Sequence, residues 1–374
     1  GSRRTLRRQL DPHANAIGFL RLLLASLVLF DHCFSLGGFH NGRGLTLGPD
    51  QQDLGLLAVY GFFLLSGLLI ARSAETTRSV IRFFWHRVLR ILPAYWVSLV
   101  VVAFGFALLA YVYEHHGLGG FLSGSDSPFG FVSRNFALQL HQYSVDHELL
   151  HTPFTQTWNG SLYTLVYEFS CYIAVGLLAV FGVVRRAKVI PVAVACVCFV
   201  ISLLEASGHP ISNIPFVSDP QMMNFAFFFF AGASLHAYAD RLPMNDIIGG
   251  LASAAALATL FGGGWLIVGR VAFCLAIPWL ATRLPFRAVG VKRDLSYGVY
   301  IYAFPVQQSL SEYGLQARGL FAYVLLSFIG AYALAWVSWH CVERPALSAK
   351  GWTPVLGRRL VLAFRRPRLE PQEL

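Results

Sequence analysis

The chain has 374 residues, of which 56% are hydrophobic and only 13% charged, and its formal net charge is +10. So apolar a composition excludes a single soluble globular domain and points to an integral membrane protein. The positive charge sits mostly between apolar runs, as membrane orientation demands, and calls for no nucleic-acid partner.

Apolar runs recur at about 15–36, 54–72, 92–112, 160–184, 189–205, 221–239, 246–262, 265–282, 295–312 and 319–341, each near the ~20 residues a bilayer core requires. They predict an all-α polytopic membrane protein with about ten transmembrane helices. The runs at 246–262 and 265–282, parted only by Gly262-Gly263-Gly264, read either as a tight hairpin or as one interrupted pair. With the N-terminus inside, only Arg21, Arg43, Arg134, Arg270 and Arg318 of the 29 basic residues fall outside the cytoplasmic segments, which places both termini in the cytoplasm. Residues 1–14 form a basic N-terminal segment, 15–345 the transmembrane domain and 346–374 a basic tail. No small-residue cleavage site follows Arg3 to Arg8, so no removed signal peptide is expected. All six cysteines fall in spans without zinc-site spacing, and Cys196-x-Cys198 reads as helix packing.

In the first span Arg21 and His32 stand eleven residues apart. At about 100° and 1.5 Å per residue they lie within roughly 20° of one face but about 16 Å apart along the axis. Ionisable groups in a spanning helix are costly and mark a functional site by default. A Gly-rich outward loop, Gly37 to Asp53, follows. The second span carries Gly61 to Gly67, where Ser66 and Gly67 allow close helix packing. Next comes Arg78 to Tyr95, an amphipathic segment feeding the third span at Pro93. Its Arg87 and Arg90 either anchor lipid headgroups or cradle an anionic cytoplasmic ligand such as the phosphates of coenzyme A.

Residues 113–159 form the one long loop, facing outward and read as a lid or acceptor-recognition element. Its histidines His115, His116, His141, His147 and His151 lack a compact ligand motif, so no metal is expected. Phe129 to Leu140 re-enters the interface on this reading. The fourth span places Glu168 about a turn and a half below Tyr163, either as a structural ion-pair partner or as a ligand-orienting carboxylate. Spans five to eight read as scaffold, with Arg270 inside the outer leaflet. Tyr297, Tyr300 and Tyr302 precede the helix-kinking Pro305, and Pro345 ends the tenth span after Glu343.

Taken in order, these landmarks resemble membrane-bound acyltransferase family 3, whose members O-acylate cell-surface carbohydrates. The resemblance rests on Arg21 and His32, Phe62 to Gly67, Arg87-x-x-Arg90-x-x-Pro93, Trp158 to Glu168, Ser296 to Tyr300 with Pro305, and Glu343-Arg-Pro345. Two departures stand out: Phe304 occupies a position often held by histidine, and Tyr167-Glu168 replaces what is frequently an acidic pair.

The resemblance implies transfer of an acyl group, chiefly acetyl, from cytoplasmic acyl-coenzyme A to a hydroxyl of an extracytoplasmic or lipid-linked carbohydrate, in a bacterial inner membrane. An internal donor and acceptor cavity follows from it. His32 is expected as general base, with Glu168 as its orienting carboxylate in preference to Asp31, which points to another face. Arg21, Arg87 and Arg90 would hold the donor, while Trp158, Tyr163 and Tyr302 complete the substrate-binding candidates. The partners implied are acyl-coenzyme A, a carbohydrate or glycolipid acceptor and the bilayer. A transporter or flippase of a lipid-linked saccharide, and a membrane O-acyltransferase with a non-carbohydrate acceptor, are the alternatives.

Overall fold

A helix forms on every apolar run, because a segment with no water around it must satisfy its backbone N–H and C=O groups internally. The computed structural model describes residues 5–9, 15–77, 79–117, 119–146, 148–180, 187–209, 211, 214 and 216–352; Arg3, Arg4, Arg78, His147, Arg185, Arg186 and the basic tail from 353 onward lie outside them. The helices are α1 Leu6–Gln9, α2 Ile17–Leu36, α3 Leu54–Thr76, α4 Val80–Val101, α5 Ala107–His115, α6 Pro128–Arg134 and α7 Thr164–Val180. They continue with α8 Val189–Ala206, α9 Pro220–Ala237, α10 Asp246–Gly262, α11 Arg270–Arg283, α12 Ser296–Glu312, α13 Leu320–Ser338 and α14 Arg344–Ser348. The two-residue strands Thr46–Leu47 and Gln52–Asp53 pair antiparallel in the loop after α2.

Among the described residues seven elements are long and apolar enough to cross a membrane: Ile17–Leu36, Leu54–Thr76, Val80–His115, Gly160–Val180, Val189–Ala206, Trp265–Arg283 and Leu320–Gly351. The remaining three expected runs form α9, α10 and α12, which fall short in length or apolarity. The amphipathic segment and the third span are one continuous element through Pro93, joined to α5 by a π-turn at Val102–Phe106. Gly263 and Gly264, both at positive φ, make α10 and the next helix a tight hairpin.

Small residues set the closest helix approach, as the sequence indicates. A Cβ at Gly67 would stand 1.8 Å from the Phe229 carbonyl oxygen, and one at Gly232 2.0 Å from that of Leu64. α3 and α9 therefore pack backbone to backbone, and the aromatic run Phe225 to Phe230 is core, with Phe225 stacked on Phe63 and Phe228 on Tyr60. α12 is buried from Ser296 to Gln308 between α2 and α13. Its burial explains why this helix tolerates tyrosines, glutamines and serines, each of which finds a partner inside the protein.

Candidate active site

At the start of α2 the apolar pattern leaves Arg21 one turn inside the helix. Its Nη1 donates to Asp294 Oδ2 at 2.8 Å, and Arg90 Nη2 donates to the same oxygen at 2.5 Å. The other oxygen accepts from the Ser296 backbone N–H at 3.2 Å and from Ser296 Oγ at 2.6 Å, which ties Asp294 to the first turn of α12. Burial pushes the Asp294 carboxyl up, but the Arg21 and Arg90 guanidiniums outweigh it and hold it well below the usual carboxylate range. A cavity of about 380 Å³ opens beside this cluster, lined among others by Asn15, Gly18, Arg21, Arg72, Gly290 and Asp294. Glu343, buried at the π-turn that ends α13, lies within electrostatic reach of Arg90, and its Oε1 accepts from Ser338 at 3.1 Å.

Arg87 lies apart from Asp294. Its guanidinium sits over the rings of Phe83 at 5.8 Å and Tyr172 at 5.9 Å. The Tyr172 hydroxyl donates to Glu168, which also accepts from Ser66 Oγ at 2.7 Å. Glu168 thus serves the Arg87 side of the bundle, bonded to hydroxyls on α3 and α7. The reason is depth: Ser66 stands twelve residues into α3, about 18 Å from the end of the bundle that His32 occupies.

His32 lies in the last turns of α2. Its ring meets Phe304 of α12 edge to face at 5.4 Å between centroids, and its Nδ1 is buried without a hydrogen-bond partner among the described residues. Phe304 in turn meets Phe154 at 5.8 Å, and Gly160 lies so close that a Cβ would touch the Phe304 ring at 2.9 Å. Gln307 donates to the Leu29 carbonyl at 2.8 Å and Cys33 Sγ at 3.0 Å, fixing α12 to α2 on either side of His32. Asp31 turns away and accepts from the Leu45 backbone N–H at 2.7 Å, as its neighbouring helix face requires. The structure therefore brings Arg21 and Arg90 together, leaves Arg87 with Glu168, and sets His32 at the far end of α2.

The family profile described as "Acyltransferase domain" matches residues 15–340. The chain belongs to acyltransferase family 3. It is similar to "O-acetyl transferase" of Shigella phage Sf6, 28% identical over 341 residues that cover 90% of this chain and 96% of the relative. It is also similar to "Nodulation protein 10" of Rhizobium leguminosarum bv. viciae, 27% identical over 384 residues covering 94% of this chain and 97% of that one. No solved structure matches.

In this acyltransferase the other sequence-marked residues are sealed in packing to different degrees. Trp158 is fully buried and donates its Nε1 to Glu148 Oε2 at 3.0 Å. Tyr302 is buried beside Glu343, whereas Tyr163 is half-buried and faces Tyr167, with ring centroids 6.1 Å apart. Within the long loop Asn135 Oδ1 accepts from the His141 and Gln142 backbone N–H groups at 2.8 and 3.1 Å, and Trp96 of α4 and Gln308 of α12 donate to its Phe136 and Phe154 carbonyls. Phe131 and Leu138 are buried within the stretch expected at an interface, and Phe129 and Phe136 are exposed. Asp294 is the residue that sequence reasoning missed as a partner. Its signal is an acidic residue just before an apolar run, which reads as an ordinary helix start.

Proposed function

We propose that this acyltransferase moves an acyl group, chiefly acetyl, from cytoplasmic acyl-coenzyme A to a hydroxyl of a carbohydrate that is extracytoplasmic or lipid-linked. One observation carries the reading: the arginine cluster on Asp294 with its cavity, and the imidazole of His32, whose Nδ1 has no partner among the described residues, stand at opposite ends of one helix. That separation, about 16 Å for eleven residues, suits a donor and an acceptor arriving from opposite faces of a membrane. The relative named an O-acetyl transferase supports the reaction class.

On this reading the guanidiniums of Arg21, Arg87 and Arg90 bind the donor phosphates, since guanidinium matches phosphate oxygens bidentately. Asp294 holds two of them in place before the donor arrives, and Glu168 with Tyr172 positions the third. His32 takes the proton from the acceptor hydroxyl as its oxygen adds to the thioester carbonyl. The carbon–sulfur bond then breaks, and the proton passes to the leaving thiolate. Ten helices cross the bacterial cytoplasmic membrane with both termini inside, because that arrangement places nearly all arginines and lysines of the short loops on one side.

Purified protein in nanodiscs, given acetyl-coenzyme A labelled in the acetyl group and a panel of saccharides, tests the proposal. Label on a saccharide hydroxyl is the expected result. Donor binding without any transfer or hydrolysis, whatever the acceptor, overturns it in favour of a carrier.

A further inference from the structure

Arg270 opens α11 directly after the π-turn Trp265–Gly269, a backbone feature that recurs at functional sites. The turn is anchored by Asp50, whose Oδ2 accepts from the Gly264 and Trp265 N–H groups at 3.0 and 2.9 Å. Arg270 therefore lies about 8 Å along the axis from that end of the bundle, five residues further in. It is only 4% exposed.

Five other arginines, Arg7, Arg21, Arg90, Arg134 and Arg283, each meet an aspartate. Arg270 meets none among the described residues. Its Nη1 donates to Ser202 Oγ on α8 at 2.9 Å, its Nε is buried without a partner, and its ionisable neighbours are Tyr60 and Cys274. On the same π-turn the indole Nε1 of Trp265, 1% exposed, is a second buried donor with no acceptor. A buried cation with only a hydroxyl partner is costly, and so is each unfilled donor. Both deficits are met by one kind of group, an anionic oxygen cluster.

The surroundings say where such a group comes from. Ile267, Val268 and Val271 flank Arg270 and are exposed; so are Val197, Val200 and Leu204 around Ser202. α8 and α11 scarcely touch apart from the Arg270–Ser202 bond. The seam between them is bordered on both sides by side chains suited to acyl chains, with Arg270 and Ser202 buried just beneath that surface, and its bonding is separate from that of His32 and Asp294.

We propose that this seam is a lipid-phosphate site: the phosphate of a membrane amphiphile binds Arg270 while its chains lie along Val271 and Val200. The pairing is a charge-assisted, bidentate one of the kind guanidinium favours. It concerns lipid binding and does not depend on the acyl-transfer reading.

Native mass spectrometry of detergent-purified protein tests it, using phosphatidylglycerol, a long-chain isoprenyl phosphate and uncharged diacylglycerol as probes. Wild-type protein is expected to retain at least one phosphate lipid in preference to diacylglycerol, and which of the two it retains identifies the source. Arg270→Met should lower that retention about tenfold or more, the equivalent of losing a charge-assisted hydrogen bond, and Arg270→Lys should lower it less. Ser202→Ala, which keeps the charge, serves if the methionine variant does not purify as a single species. Equal retention of phosphate lipids and diacylglycerol by the wild type overturns the proposal, as does undiminished phosphate-lipid retention in Arg270→Met.

Discussion

Arg21 and Arg90, 69 positions apart in the chain and on different helices, donate to one and the same oxygen, Oδ2 of Asp294. One carboxylate thus fixes two cations, and each cation is three-quarters or more buried. Removing it takes the hydrogen-bonded counter-charge from both and leaves them only the more distant Glu343, a loss that buried pairs register strongly. Asp294→Asn is expected to cost about 2–4 kcal/mol of stability, read as a lower thermal midpoint in detergent. In acyl-transfer assays its chief effect should be a higher KM for acetyl-coenzyme A. An unchanged KM together with a lowered kcat would reassign the cluster from donor binding to the chemical step. The carboxyl lies well below the ordinary carboxylate range, so its stabilisation is complete above the unfolded pKa and is lost only as pH falls through the lower folded value. Acid inactivation at mildly acidic pH must therefore come from another group.

His32 offers the complementary expectation. Among the described residues it meets Phe304, bonds no carboxylate and leaves its Nδ1 without a partner, so substituting it disturbs no ion pair there. His32→Gln should fold and purify like the wild type, bind acetyl-coenzyme A with the same affinity, and lose about 10²–10⁴ in kcat, the usual worth of general acid–base catalysis. Titration of the purified variant with acetyl-coenzyme A separates the outcomes. Loss of donor binding would place His32 in the donor site, and full activity would remove it from the mechanism.

These two sites differ in how far the sequence revealed them. Arg21 and His32 are legible because both lie on one helix, where spacing converts directly into angle and rise. Gly67 is legible as a close contact for a similar reason, since a glycine next to a serine in an apolar run has few other uses. Asp294 is not, because its partners Arg21 and Arg90 lie 273 and 204 residues away, and nothing local encodes which helix ends meet. Glu168 was readable as a buried carboxylate but not as a partner of Tyr172 and Ser66, a pairing set by how α3 and α7 cross. The run at 295–312 was readable as a span, but not that α12 would be buried, with its glutamines and serines donating to α2 and to the long loop.

Glu168 and Arg87 supply a third test. Tyr172 connects them, its hydroxyl on Glu168 and its ring under the guanidinium. Tyr172→Phe keeps the ring and removes one of the two hydroxyl donors to Glu168, the other being Ser66. If that unit positions Arg87 for the donor, Tyr172→Phe should raise the KM for acetyl-coenzyme A severalfold, and Glu168→Gln should do so by about tenfold, the scale of one hydrogen bond to a charged group. The pH dependence of kcat should stay as in the wild type for both. A shift in that profile on Glu168→Gln would instead couple the carboxylate to His32.

Glu148 makes the long loop sensitive to pH. It is fully buried, holds Trp158 through one oxygen and leaves the other without a partner. Burial pushes its carboxyl up to about 9, and the nearby Glu114, Asp146 and Glu312 push in the same direction against the Trp158 hydrogen bond. A carboxyl that takes its proton more readily folded than unfolded stabilises the fold fully below the unfolded value, near 4.5, and progressively less as pH rises toward 9. The loop should accordingly loosen between these limits. Glu148→Gln keeps an acceptor for Trp158 without a charge to bury, so it should flatten the fall in thermal midpoint between pH 5 and about 9 and raise the midpoint most at the alkaline end. Hydrogen exchange of residues 119–146 should slow in the variant at the same pH. A wild-type midpoint that rises over this range, or a variant that tracks the wild type, would show that Glu148 is ionised in the folded protein.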